Sequence, residues 1–237
     1  MAKRALSALI ASGWLAFALP SDGVTAPDVS EAAQTILAVT NAFRHEHEQP
    51  ALTGNAQLAN AARYFADYMA KTDHYGHSAD GSEPDQRAQK FGYDYCAVAE
   101  NIAYQFKSTG FSTRELAERF FEGWRNSPGH RKNMLDPDVT ETAIAIARSA
   151  KTGRHYAVQL FGRPKSRTIE FSIENQTAGV IEYSFDGENF KTGPRVRRTH
   201  QHCKQTKLVF AGKTLLPRNG QQLVLVNEDG RAQLQMR

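Results

Sequence analysis

The stretch that decides the fold is Trp124-Arg125-Asn126-Ser127-Pro128-Gly129-His130-Arg131-Lys132-Asn133-Met134-Leu135. Before it, Leu116, Phe120 and Trp124 recur at helical spacing, and Ser112 with Glu115 forms a capping-box pattern at the start of the run. The helix is expected to stop at Ser127, because the residue before a proline disfavours helical geometry. After the stretch the period changes. Residues 142–148 and 155–161 read as two strands, with Lys151-Thr152-Gly153 in the turn between them. The stretch thus marks the switch from helix to sheet.

Three further helices are expected upstream. Residues 30–47 carry Ile36, Val39, Thr40 and Phe43 on one face, with Ser30 as the cap. Residues 55–71 carry Leu58, Ala62, Phe65 and Met69, a core stripe. A short helix over 83–91 is announced by Ser82 and Pro84 and ended by Gly92. The run His45-Glu46-His47-Glu48 has Gln49 where the zinc-protease helix needs its second histidine, so it reads as an exposed helix end. Four helices and a strand pair predict an α+β layered domain over residues 27–164. Beyond it, Ile169, Phe171 and Ile173 alternate, as do Ile181, Tyr183 and Phe185. Short strands follow at 208–210, 223–226 and 234–236, with turns at Asp186-Gly187 and Asp229-Gly230. Residues 165–237 therefore predict a small all-β sandwich or barrel.

Residues 1–26 read as an export signal. Lys3 and Arg4 precede an apolar run from Ala5 to Leu19, too short to span a bilayer, and Val24-Thr25-Ala26 offers small residues for cleavage. The expected location is extracellular or periplasmic, which excludes nucleic acid as a partner. An exported protein can keep a disulfide. Cys96 and Cys203 allow one pairing, between distant parts of the chain; two buried free thiols are the alternative. Charge is uneven. Residues 27–164 hold 15 basic and 17 acidic side chains, residues 165–237 hold 12 and 7. Lys191, Arg195, Arg197 and Arg198, clustered before His200, His202 and Cys203, would suit an anionic envelope surface. His200, His202 and Cys203 also raise a soft-metal reading.

Three polar motifs carry the chemistry: Tyr75-Gly76-His77-Ser78 leading into Asp80-Gly81-Ser82, then Ala99-Glu100-Asn101-Ile102-Ala103, then Ser127-Pro128-Gly129-His130. His77, Glu100 and His130 supply two imidazoles and a carboxylate, the inventory of a metal site or an acid–base site if folding joins them. Arg131 and Asn101 read as structural residues that satisfy backbone groups near a helix end and in a turn. His155, beside the Gly153 turn, reads as a surface residue.

With Tyr156-Ala157-Val158-Gln159-Leu160-Phe161-Gly162 added, the motifs stand in an order that resembles the CAP superfamily over residues 30–162. That superfamily includes cysteine-rich secretory proteins, insect venom antigen 5 proteins and plant pathogenesis-related proteins, and the wording is closest to its bacterial secreted members. The resemblance implies an α-β-α sandwich whose cleft holds two histidines and two acids, matched here by His77, His130 and Glu100. The second acid is not matched, because Ser127 stands at its position. Glu122 and Glu118 on the preceding helix do not match the motif, and His74 beside His77 is a further substitute within reach. The resemblance implies a binding or interaction protein, its cleft holding Zn2+ or another divalent metal, or a small ligand. A metal-dependent peptidase or esterase is the rival, and envelope binding through the basic β tail a third reading. Lipid, peptide and envelope components are the partners in view.

Overall fold

The structure, a computed structural model, describes residues 26–236. The expected export signal therefore lies, but for Ala26, outside the described residues. No helix among the described residues is long and apolar enough to cross a membrane.

Helix α1 (Val29–Glu46) is capped by Asp28 rather than Ser30: the Asp28 carboxylate accepts from the N–H groups of Ser30 and Glu31 at 2.8 and 3.0 Å. An aspartate there satisfies orphan donors and meets the positive end of the helix dipole. Strand β1 (Thr53–Gly54) leads to helix α2 (Ala56–Thr72), capped by Asn55. Helix α3 (Pro84–Lys90) and strand β2 (Tyr95–Gln105) follow. Helix α4 (Thr113–Arg125) starts at Ser112, whose hydroxyl accepts from the Glu115 N–H at 3.2 Å. Glu115 turns its own carboxylate to Lys107 at 2.7 Å.

Helix α4 ends at Arg125, just ahead of Ser127 as expected, but Pro128 does not open a loop. Ser127 is extended and Pro128 takes the first position of a new helix, α5 (Pro128–Met134). Proline fits there because the first helical N–H has no intrahelical acceptor. His130 consequently sits on a helix.

Strands β3 (Glu141–Arg148) and β4 (His155–Pro164) form the expected antiparallel pair at the centre of a four-stranded sheet of order β1-β3-β4-β2. Strand β2 was not legible in the sequence, since its buried Glu100 and Asn101 break any apolar alternation. The parity of β4 builds the layers. Ala157 and Phe161 pack with α1, α4 and α5, whereas Tyr156, Val158 and Leu160 pack with α2 and α3. Helices thus cover both faces of the sheet in an α-β-α sandwich. Gly162 belongs to this close packing, because a Cβ there would overlap the Tyr93 ring. His155, expected at the surface, is 4% exposed and packs edge-to-face on Phe111. Burial, reinforced by the charge of Arg148, lowers its pKa. Arg44 on α1 is also buried and donates to the carbonyls of Pro50, Met134 and Asp136 at 2.7–2.9 Å.

A single 3-10 turn (Lys165–Arg167) leads into the all-β region. Its strands are β5 (Ile169–Asn175), β6 (Ile181–Phe185), β7 (Glu188–Thr192), β8 (Arg197–His202), β9 (Leu208–Phe210), β10 (Lys213–Leu215), β11 (Gln221–Glu228) and β12 (Arg231–Met236). They form two sheets, β10-β9-β6-β7 and β12-β11-β5-β8, around a core that includes Phe171, Ile173, Tyr183, Phe185, Leu223 and Leu225. Both predicted turns are two-residue hairpins with positive φ at each position, Asp186-Gly187 and Asp229-Gly230. The unpredicted strands β7, β8 and β10 are sheet edges, where polar side chains are the norm.

Cys96 on β2 and Cys203 after β8 form a disulfide with Cα atoms 5.3 Å apart. It ties the helical sandwich to the β tail, alongside hydrogen bonds from Lys165 N–H to the Asp94 carbonyl and from Arg163 to the carbonyls of Asp138 and Arg167. A bridge across 107 residues removes much entropy from the unfolded chain. Reduction, or Cys203→Ser, is expected to cost about 2–5 kcal/mol. Guanidinium unfolding of the oxidised and reduced protein checks this through the midpoint shift.

Candidate functional site

The site is assembled around Arg87. The Glu83 carboxylate faces the first turn of α3 while the Gln86 amide oxygen accepts the Glu83 N–H at 2.9 Å, which fixes how the helix starts. Arg87, one turn on, then projects inward. Its side chain is 0% exposed, and its guanidinium lies 3.5 Å from the centre of the Phe65 ring on α2. A buried guanidinium needs anionic or carbonyl partners, and Arg87 finds them through Nη1 and Nη2, while its buried Nε has none among the described residues. Nη1 donates to Asp80 Oδ1 at 2.9 Å and to the Ser82 carbonyl at 2.5 Å. Nη2 donates to the His77 carbonyl and to Glu100 Oε2, both at 2.8 Å. One side chain therefore pins the 77–82 loop to strand β2.

Glu100 shares the parity of Ile102 on β2 and faces the α2–α3 layer with its side chain 1% exposed. Its second oxygen, Oε1, accepts from His77 Nδ1 at 2.8 Å. Both oxygens of Glu100 are thus committed. His77 is half-exposed, and its pKa is raised, first by the hydrogen bond to Glu100 and further by that carboxylate's charge, against the opposing effect of burial. Asn101 faces the other layer and was expected in a turn. It lies in β2, fully buried, donating to the His130 carbonyl at 3.1 Å and accepting from Asn133 Nδ2 at 2.9 Å. Asn133 also donates to the Glu100 carbonyl at 3.2 Å. These bonds dock α5 on the edge of β2 and place His130 there. Its Nδ1 is buried, and its pKa is lowered by burial and by the positive charge of His77. The two rings are thus pulled in opposite directions, His77 towards the imidazolium and His130 towards the neutral form.

The other predicted residues are placed elsewhere. His74 is exposed in the loop, and Ser127 caps α5 without a side-chain hydrogen bond. Glu122 pairs with Arg125 at 2.8 Å, and Glu118 with Arg114 at 2.6 Å, so both acids serve the surface of α4. Among the described residues, no group of three or more His, Cys, Asp or Glu side chains is placed to hold a metal ion. Arg131, expected to satisfy helix-end carbonyls, instead reaches His47 Nε2 at 3.2 Å and covers the Phe43 ring. Sequence reading missed Arg87, since a seven-residue polar helix gives no periodicity to mark an inward face. Asp80 was quoted in a motif but given no role. Tyr75, just ahead of His77, packs edge-to-face on Tyr104 at 5.1 Å; both are exposed, and the Tyr75 hydroxyl donates to the Ile102 carbonyl.

Two of the four cations in the tail cluster are paired with acids, and Arg195 is exposed. Lys191 pairs with Glu182 at 2.6 Å, Arg197 pairs with Glu174, and Arg198 lies over the Phe190 ring. His200 is a core residue, buried against Phe171 and Phe185, with its Nε2 2.8 Å from the Tyr183 hydroxyl. With His200 in the core, His202 on Asp186 and Cys203 oxidised, the soft-metal reading of this trio is withdrawn.

Comparison with known proteins agrees with the fold. The CAP description, "Cysteine-rich secretory protein family", matches residues 37–161. The chain is 28% identical over 136 residues to the uncharacterized protein YkwD of Bacillus subtilis, covering 57% of this chain and 49% of that protein. It spans half or less of the length of the curated relatives it matches. An outer surface protein of Borrelia burgdorferi has a similar fold, with a TM-score of 0.51 at 20% identity, covering 58% of this chain and 96% of that one. An extracellular protein of Bacillus anthracis containing an SCP domain is 26% identical with a TM-score of 0.48, over 56% of this chain and 41% of that chain.

The His77–Glu100 pair has a pH signature. Because folding raises the His77 pKa, its stabilising contribution is full below the unfolded value of about 6.5 and is lost as pH rises through the folded value. NMR titration of the His77 ring is expected to give a midpoint above about 6.5, and Glu100→Gln should move it down. A midpoint unchanged by that substitution would contradict the pairing.

Proposed function

Because the chain belongs to the cysteine-rich secretory protein (CAP) family, we propose that it is an exported binding protein whose cleft, formed by His77, Glu100 and His130, takes a small polar ligand. The observation that supports this is the double engagement of Glu100 by Arg87 and His77. A general base needs a carboxylate free to accept a proton from water or substrate. Here both oxygens already accept hydrogen bonds from cationic or protonated partners. Glu100 acts instead as a positioning residue that keeps His77 Nδ1 protonated and leaves Nε2 to meet the ligand.

A divalent metal fits this set poorly. Catalytic zinc is usually held by three protein ligands. Both Glu100 oxygens already face cationic partners, and among the described residues no group of three His, Cys, Asp or Glu side chains is placed to hold a metal ion. A carbonyl or carboxylate oxygen of a ligand suits the His77 edge, since a donor of enhanced charge strengthens such a hydrogen bond. Tyr75 and Tyr104 add an apolar rim.

Two measurements separate this reading from a metal hydrolase. In a zinc titration followed by calorimetry, binding is expected to be weak, and a tight 1:1 site abolished by both His77→Ala and His130→Ala would contradict the proposal. In a peptide and ester turnover screen no activity is expected above background. Turnover lost in Glu100→Ala would reinstate the enzyme.

A further inference from the structure

We propose a second interaction site, remote from the cleft: the free edge of β3 binds an extended acidic segment of a partner protein by strand addition. The sheet order makes β3 an edge for most of its length. Strand β1 pairs only with Glu141 and Thr142, leaving residues 143–148 without a neighbour on that side among the described residues. The Asn55 N–H bonds the Thr142 carbonyl from this side at 3.2 Å. Alternation along the strand then turns the N–H and C=O of Ile144 and Ile146 outward as well.

The opposite edge of the sheet is handled differently. On β2, the Glu100 carbonyl is taken by Asn133 and the Ile102 carbonyl by the Tyr75 hydroxyl. Side chains cap that edge, as proteins commonly do to suppress unwanted pairing. No such cap reaches Ile144 or Ile146 among the described residues. Instead the edge lies at the bottom of a groove of about 640 Å³ between α1 and α2. Its walls are kept low by small residues, Ala33 on α1 and Ala66 and Ala70 on α2. Six residues of edge span about 20 Å, room for an extended segment of similar length.

Charge selects the occupant. Arg63 and Lys71 on α2, Arg148 at the end of β3 and Lys151 after it line the groove, all four exposed and none in an ion pair among the described residues. Asp67 is the one acid lining it among the described residues. Main-chain pairing supplies affinity in strand addition, and alternate side chains supply specificity. Here the specificity is for Glu or Asp at positions that meet the four cations.

The test uses the full chain and three blocked heptapeptides that alternate valine with glutamate, glutamine or lysine. Fluorescence anisotropy is expected to rank glutamate over glutamine over lysine, with the glutamate affinity falling at least about fivefold between roughly 50 and 500 mM salt. Amide exchange of Ile144 and Ile146 should slow by about tenfold or more on binding, as expected for new ladder hydrogen bonds. Lys71→Glu with Lys151→Glu, both at exposed positions, should weaken the glutamate peptide about tenfold and leave His77 titration unchanged. No binding at millimolar peptide, equal binding of the lysine peptide, or protection elsewhere would overturn the proposal. So would protection of Ile144 and Ile146 without peptide that disappears when residues 1–25 are removed, because the chain's own leader would then be the occupant.

Discussion

A buried cation holds the His77 loop against strand β2. Arg87 brings one positive charge into a buried layer between α2 and β2, and that charge is met by Asp80, Glu100 and two carbonyls. Removing one partner from a buried ion pair costs about 3–5 kcal/mol, far more than a surface pair contributes. The 77–82 loop has no regular helix or strand of its own, yet it is fixed because its carbonyls at His77 and Ser82 are ligands of the guanidinium. The position of His77, its raised pKa and the commitment of Glu100 all follow from this one arrangement.

The same logic recurs where the layers meet. Arg44 gathers three carbonyls at the junction of α1 with the segment after α5, and Asn101 with Asn133 ties α5 to β2. Buried polar side chains with partners fix orientation where apolar packing alone leaves it loose. The β tail follows a different plan. Its core is aromatic and apolar around Phe171, Tyr183 and Leu225, with His200 as a packed member, and burial pushes the Tyr183 hydroxyl pKa up to about 12. The Cys96–Cys203 bridge joins the two plans at the strand that carries Glu100.

Much of the architecture was legible in the sequence, because it depends on period. The stripes Leu58-Ala62-Phe65-Met69 and Leu116-Phe120-Trp124 are all fully buried, as their spacing required. The switch to strands after residue 140 and the two Asp-Gly hairpins were equally plain. Elements held by polar contacts were not. Strand β2 hides because Glu100 and Asn101 are buried polar residues, and β7, β8 and β10 hide because edge strands are polar. For the site, the motifs named His77, Glu100 and His130, but only coordinates reveal Arg87 behind them. The vacancy for a second acid at Ser127 was visible in the sequence, and the structure adds that Glu122 and Glu118 are occupied elsewhere.

The central claim is that Arg87 holds the 77–82 loop and Glu100 in place. Hydrogen–deuterium exchange of the wild type and Arg87→Lys tests it most directly, since a lysine keeps the charge but not the forked geometry. The account predicts faster exchange across residues 76–83 and at the N-terminus of α3, with the β tail unchanged. Equal exchange throughout the 76–83 loop in the two proteins would contradict it.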